Sequence, residues 1–199
     1  MALKKPAGLD RRKVVAALLA ERGDALVVTG LGSPTYDTFA AGDHDLNFYL
    51  WGGMGGAAMA GLGLALTQPR RRVLVITGDG EQLMGLGGLA TAAAQRPPNL
   101  SIVVLDNGHF GETGMQRAHT ARGVDLAGIA KASGFKSATT LQSMASLQSW
   151  LPDWNKKTGP VFADIKVSAE PAPMRLPLRD GTAIKYRFRT ALLGADAQK

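Results

Sequence analysis

Arg72-Val-Leu-Val-Ile-Thr-Gly-Asp-Gly80 and, further on, Ser101-Ile-Val-Val-Leu-Asp-Asn-Gly108 are the stretches that decide the fold. Each opens on an unbroken Val/Ile/Leu run, the pattern of a strand buried on both faces of a parallel sheet. Each run ends in a polar turn: Gly78-Asp79-Gly80 in the first, Asp106-Asn107-Gly108 in the second. Between them Glu81 to Gln95 reads as a helix, stopped by Pro97-Pro98. The whole is one strand–helix–strand unit, whose strands are expected as neighbours roughly 5 Å apart. That spacing brings the Asp79 carboxylate near the Asn107 amide oxygen, at the carboxyl ends of strands where open sheets bind ligands. Two such oxygens suit a hard cation. Mg²⁺ takes one or two protein ligands and completes its octahedron with phosphate and water. Glycines beside Asp79 let the backbone approach the phosphate, and the helix from Glu81 offers it free N–H groups. Either turn alone would pass as an ordinary turn; the two together, in this context, point to a Mg²⁺-bridged phosphate.

Outward from this unit the strands and helices alternate. Asp10 to Arg22 has helical spacing with Asp10 as N-cap. Ala25 to Thr29 is a buried strand running into the turn Gly30-Leu-Gly-Ser-Pro34, and Thr35 to Ala41 a short helix. Gly52 to Leu66 is small and apolar nearly all round, which predicts a buried helix. Asp125 to Ser133 and Ser143 to Trp154 read as helices, Phe135 to Thr139 as a weak strand, and Pro160 to Val167 as the last strand. The fold class is α/β, a parallel β-sheet sandwiched by helices. Residues 1–24 form an N-terminal helix, 25–168 the ligand-binding domain, and 169–199 a proline-bearing, basic C-terminal tail with one short amphipathic stretch.

Composition narrows the chemistry. The 199 residues include no Cys, which excludes disulfides, thiolate metal sites and a cysteine nucleophile. No apolar run reaches the 18 residues of a membrane span and none resembles a signal peptide, so a cytoplasmic protein is expected. The net charge of +7 includes Lys4/Lys5, Arg11/Arg12/Lys13 and Arg70/Arg71/Arg72. These clusters read first as solvated faces and helix ends, then as attraction for an anionic ligand. They are short and lack interleaved aromatics, so nucleic acid is not expected. No Walker A is present, and the glycines from Gly52 to Gly63 do not follow a strand as a dinucleotide fingerprint does.

The pair of turns resembles the signature of thiamine-diphosphate enzymes, in their diphosphate-binding (PP) domain. The resemblance implies thiamine diphosphate and Mg²⁺ as cofactors, with Asp79, Asn107 and the main-chain oxygen of His109 as metal ligands. It implies Gly78, Gly80 and the Glu81 backbone as part of the cofactor cradle. Glu81 departs from relatives that carry a small residue there, and its carboxylate must turn away from a diphosphate or pair with a cation. Asn47 to Gly56 resembles the family's Gly-x-Met-Gly stretch, which makes Met54 the candidate wedge between the cofactor rings, against a role as core filler. Gly32 and Ser33 resemble the turn that contacts the diphosphate, though a simple turn fits as well. The run Leu105 to Gln116 is similar to the sulfopyruvate and phosphonopyruvate decarboxylase branch of the family. Glu112 and His109 are the candidate catalytic side chains. Glu112 is not clearly in register with the proton-transfer carboxylate of some relatives, and a salt bridge or cap is its plainer role.

In this family cofactor activation needs a Glu from a second, pyrimidine-binding (PYR) domain, for which the α/β pattern leaves no room. A separate PYR-domain α subunit is therefore expected as partner, and a small anionic 2-oxo acid as substrate. The leading expectation is the β subunit of a non-oxidative 2-oxo acid decarboxylase, a lyase. An acetolactate-synthase-like carboligase subunit and a non-catalytic cofactor-binding module are the alternatives.

Overall fold

The computed structural model describes residues 8–20, 22–156 and 158–198; Lys4 and Lys5 lie outside them. Asp10 caps α1 (Arg11–Leu19) by accepting the Arg12 and Lys13 N–H groups. Then come β1 (Leu26–Thr29), α2 (Ser33–Ala40), β2 (Asn47–Tyr49), α3 (Ala57–Thr67) and β3 (Val73–Gly78). Two helices, α4 (Asp79–Met84) and α5 (Gly87–Gln95), lead to β4 (Leu100–Asp106). A small hairpin follows, β5 (His109–Phe110) with β6 (Gln116–Arg117), and then α6 (Leu126–Ser133), β7 (Ser137–Leu141) and α7 (Met144–Asn155). The chain closes with β8 (Val161–Lys166) and α8 (Gly181–Leu193).

Six strands form one parallel sheet in the order β2-β1-β3-β4-β8-β7. The Val/Ile/Leu runs divide their side chains between two apolar layers, as the period of two along a strand requires. Val73, Val75, Ile102 and Val104 face the layer of α3, α5 and α6. Leu74, Ile76, Val103 and Leu105 face the layer of α1 and α7. Both faces of β3 and β4 are thus buried, which is why these strands show no alternation of apolar and polar residues.

Four readings of the sequence need correction. The helix expected over 81–95 is two helices, broken at Gly85, because the backbone of Gly55 lies against that point: a Cβ on Gly85 would sit 2.1 Å from the Gly55 carbonyl oxygen. The helix expected from Gly52 starts only at Ala57; Gly52, Gly53 and Gly55 take positive φ in a loop. That helix also leaves Met59 and Leu66 exposed, so its burial is one-sided. Asn47–Tyr49, read only as part of a loop motif, is an edge strand paired to β1. The amphipathic stretch of the tail is the full-length helix α8, capped by Asp180 and seated on β2 through Phe188 against Phe48 and Arg187 on Asp43.

The basic clusters are less solvated than composition implies. Arg11 and Arg12 pair with the fully buried Asp37 of α2 at 2.8 and 3.2 Å. Arg72 stacks over the Trp154 ring and donates to the Arg22 carbonyl. These contacts use the charge to tie α1 to α2 and the start of β3 to α7.

Candidate functional site

The register of β3 on β4 pairs Gly78 with Leu105, so the two polar turns leave the sheet side by side. They open into a cavity of about 360 Å³. Ser33, Met54, Gly78, Asp79, Gly80, Glu81, Asn107, His109 and Glu112 all line it, from four separate segments of the sequence. Gly32 does not line it but adjoins it: a Cβ there would fall 2.7 Å from Glu112 Oε1.

Asp79 begins α4, whose N-cap Gly78 offers no side-chain acceptor, so the first N–H groups of that turn are left for a ligand. The Asp79 side chain is 2% exposed. Burial, with the charge of Asp106 alongside, pushes its carboxyl up to about 7, against a lowering hydrogen bond from Thr120. The Thr120 hydroxyl lies 2.7 Å from Asp79 Oδ2 and 3.0 Å from Asp106 Oδ1. It has one proton to donate, so it satisfies one carboxylate at a time. Behind this pair Lys166 binds both Asp106 and Asp164. Burial pulls the Lys166 ammonium down, but its two carboxylate partners outweigh it and the net shift is up. Asp79 is left as the carboxylate of this cluster that lines the cavity without a cation, which fits a site for a metal ion.

Asn107 Oδ1 accepts the His109 N–H at 2.8 Å, an Asx turn that fixes the amide and leaves the oxygen a second lone pair. His109 Nδ1 donates to the Asn107 carbonyl at 2.8 Å. The ring is therefore held on its own turn, and only the main-chain oxygen of His109 is offered as a ligand in the resemblance above. Glu112 sits exposed on a 3-10 turn, where the Tyr36 hydroxyl donates to Oε2 at 3.2 Å. Met54 is 40% exposed on the 52–56 loop. The Glu81 carboxylate is 4% exposed and accepts the Leu31 N–H at 3.0 Å. Burial raises its pKa, partly offset by Thr77 and the peptide groups of Ala57, Leu31 and Gly55.

Two contributors were missed in the sequence. Phe110 packs its ring where a Gly80 Cβ would be, at 2.6 Å, so this glycine is required by packing as well as by phosphate approach. Its aromatic position was visible in the run after Asn107, but nothing there showed that it covers Gly80. Thr120 carried no signal, because its contact with Asp79 spans 41 positions. Replacing it with Val is expected to weaken Mg²⁺ binding by about 10–100-fold, the usual cost of losing a ligand's outer partner. Titrating the metal against cofactor binding measures it, and an unchanged affinity would remove Thr120 from the site.

A parallel α/β sheet with an acid and an amide oxygen at adjacent strand ends, over a glycine-lined cavity, defines a diphosphate-and-metal-binding domain. The chain belongs to the thiamine pyrophosphate enzymes: residues 34–165 match the family described as thiamine pyrophosphate enzyme, C-terminal TPP binding domain. It is 38% identical over 187 residues to the sulfopyruvate decarboxylase subunit beta of Methanothermobacter thermautotrophicus, covering 94% of this chain and 97% of that protein. It is 40% identical over 151 residues to the phosphonopyruvate decarboxylase of Streptomyces viridochromogenes, covering 75% of this chain but 38% of that protein. The fold matches the thiamine diphosphate-dependent 4-hydroxybenzoylformate decarboxylase of Rhodococcus jostii RHA1 with a TM-score of 0.70 at 20% identity, over 86% of this chain and 35% of that one. The α/β class and the thiamine diphosphate cofactor expected from the sequence are borne out. Among the described residues no helix is long and apolar enough to cross a membrane.

Proposed function

We propose that this chain is the cofactor-holding β subunit of a thiamine-diphosphate-dependent 2-oxo acid decarboxylase, completed by a PYR-domain α subunit in the cytoplasm. The observation that carries it is the near end-to-end similarity to a protein named as a beta subunit, joined to a cavity holding Asp79 and Asn107 together. Residues 25–168 are the cofactor domain in this reading. Asp79, Asn107 and the His109 main-chain oxygen hold Mg²⁺, and the first N–H groups of α4 with the Gly32-Ser33 turn receive the diphosphate. Met54 would support the cofactor rings. When bound, the cofactor supplies a nucleophilic carbon and an electron sink for decarboxylation. Tyr36 holds Glu112 at the rim, where it can pass a proton or repel a misplaced anion. Met84, exposed on α4 where it lines the cavity, belongs to the surface on which the α subunit closes the site.

The substrate class is a short 2-oxo acid with a second anionic group, sulfonate or phosphonate, in line with the names of the relatives. The test is to purify the chain with its α subunit and measure CO₂ release from sulfopyruvate, phosphonopyruvate and pyruvate with Mg²⁺ and thiamine diphosphate. Release from one of the first two at least tenfold faster than from pyruvate is expected. Carboligation products without net aldehyde would replace the decarboxylase reading with the synthase one, and no release from any 2-oxo acid would overturn both.

A further inference from the structure

Glu81 has a buried charge that the cofactor reading leaves without a use. Its carboxylate lies where three walls of the cavity meet. Oε2 accepts the Leu31 N–H, on the turn after β1, at 3.0 Å. Gly30 precedes it, and a Cβ there would sit 1.7 Å from Oε2 and 2.9 Å from Thr77 Oγ1. Gly30 is not among the glycines with positive φ. Its backbone would accept Ala, so the room it leaves for the Glu81 carboxylate, and to a lesser degree for the Thr77 hydroxyl, is what requires glycine.

The other oxygen, Oε1, is buried without a partner of full hydrogen-bonding geometry. The peptide groups of Gly55 and Ala57 lower the Glu81 pKa against its burial, although neither N–H makes a hydrogen bond to the carboxylate. Ala57 is the first residue of α3, a helix with no side-chain cap and no acid in its first turn. A negative charge is favourable at such an end, where the first N–H groups have no partner in the helix. Glu81 supplies from α4 the anion that α3 lacks.

We propose that Glu81 is a positioning residue: its carboxylate binds the Leu31 turn and the start of α3 to the helix that bears Asp79, fixing the loop of Met54 relative to the metal ligand. The peptide groups around it are donors and only the Thr77 hydroxyl could accept, so an amide in its place would set an NH₂ against N–H groups on the other sides. The proposal rests on the cofactor reading only for its effect on binding; the clamp itself is a property of the chain alone.

Two measurements test it. Hydrogen exchange in the full-length chain without cofactor reads the Leu31 and Ala57 amides directly. In the complex with the α subunit, Mg²⁺–thiamine diphosphate is titrated for half-saturation and for turnover at saturation. In the unsubstituted protein both amides are expected to be protected. Glu81→Gln should speed their exchange at least tenfold and raise the cofactor half-saturation at least tenfold, with a smaller loss of turnover at saturation. Gly30→Ala should behave like Glu81→Gln, yet have a clearly smaller effect when Glu81→Ala is already present, the remainder coming from the Thr77 hydroxyl. The proposal is overturned by unprotected amides in the unsubstituted chain, by unchanged exchange in Glu81→Gln, or by an equal Gly30→Ala effect in both backgrounds. If Glu81→Gln does not fold, the unsubstituted chain and the Gly30/Glu81 pair still decide. If no thiamine diphosphate binds the unsubstituted complex, the cofactor reading fails, while exchange and the pair, read in Tm, still judge the clamp.

Discussion

Asp79→Ala is expected to abolish Mg²⁺-dependent cofactor binding, with a loss well beyond the ~100-fold typical of an outer-shell partner. Asp79 and Glu81 are the acids of the cavity buried without a cation; Glu81 accepts the Leu31 N–H instead, and Lys166 is spent on Asp106 and Asp164, which leaves Asp79 for the metal. A cation placed there gains a partner, and without the carboxylate it has only the Asn107 amide and peptide oxygens. Calorimetric titration of the complex checks this; retained Mg²⁺-dependent binding would end the metal assignment. The same carboxylate sets a pH dependence. In the cofactor-free protein burial raises it to about 7, from an ordinary aspartate value near 3.8. A group raised in the folded state contributes stability that is full below its unfolded value and is lost as pH rises through the folded one. The empty protein is thus expected to lose stability between about pH 4 and 7. Mg²⁺ needs the ionised form, so its affinity is expected to fall roughly tenfold per unit as pH drops below about 7. Asp79→Asn removes both slopes, and melting and titration series across pH 5–8 would show it.

The central unit was legible because its signals are local. β3 and β4 are continuous apolar runs, and a strand buried on both faces needs no distant information to be recognised. The Asp79 and Asn107 turns were legible because glycine and Asx residues mark turns by their own backbone preferences. The family signature then supplied the cofactor that geometry had left as an unnamed phosphate. What failed to show depends on contacts across the chain. Thr120 reads as an ordinary loop residue until the fold brings it to Asp79. The Glu81 carboxylate was known to be out of place beside a diphosphate, but not that the Leu31 N–H would take it. Asn47–Tyr49 is only three residues long and becomes a strand by pairing with β1, not by its own pattern.

The break at Gly85 is the clearest such case, and it carries the second large prediction. Helical spacing runs through 81–95, although Gly85, Gly87 and Gly88 weaken it locally. The helix parts because the 52–56 loop lies backbone to backbone on it: a Cβ on Gly85 would meet the Gly55 carbonyl oxygen at 2.1 Å, and one on Gly55 the Gly85 nitrogen at 2.9 Å. Gly85 itself has φ −101°, which Ala tolerates, so Gly85→Ala acts through this contact alone. Backbone atoms cannot turn aside as a side chain would. An overpacked contact costs about 1–3 kcal/mol, a fall in Tm of roughly 2–12 °C for a chain of this size. The loop also carries Met54, so lifting it off α4 displaces the proposed support for the cofactor rings, and half-saturation is expected to rise at least tenfold. Gly87→Ala is the control, since a Cβ there meets nothing within 4 Å and it lies inside α5. It should keep or raise stability by about 0.4–1 kcal/mol. Equal behaviour of the two variants would mean that the Gly55–Gly85 contact does not hold the loop. A loss confined to Gly85→Ala would show that the glycines of this stretch serve to seat one cofactor wall on another.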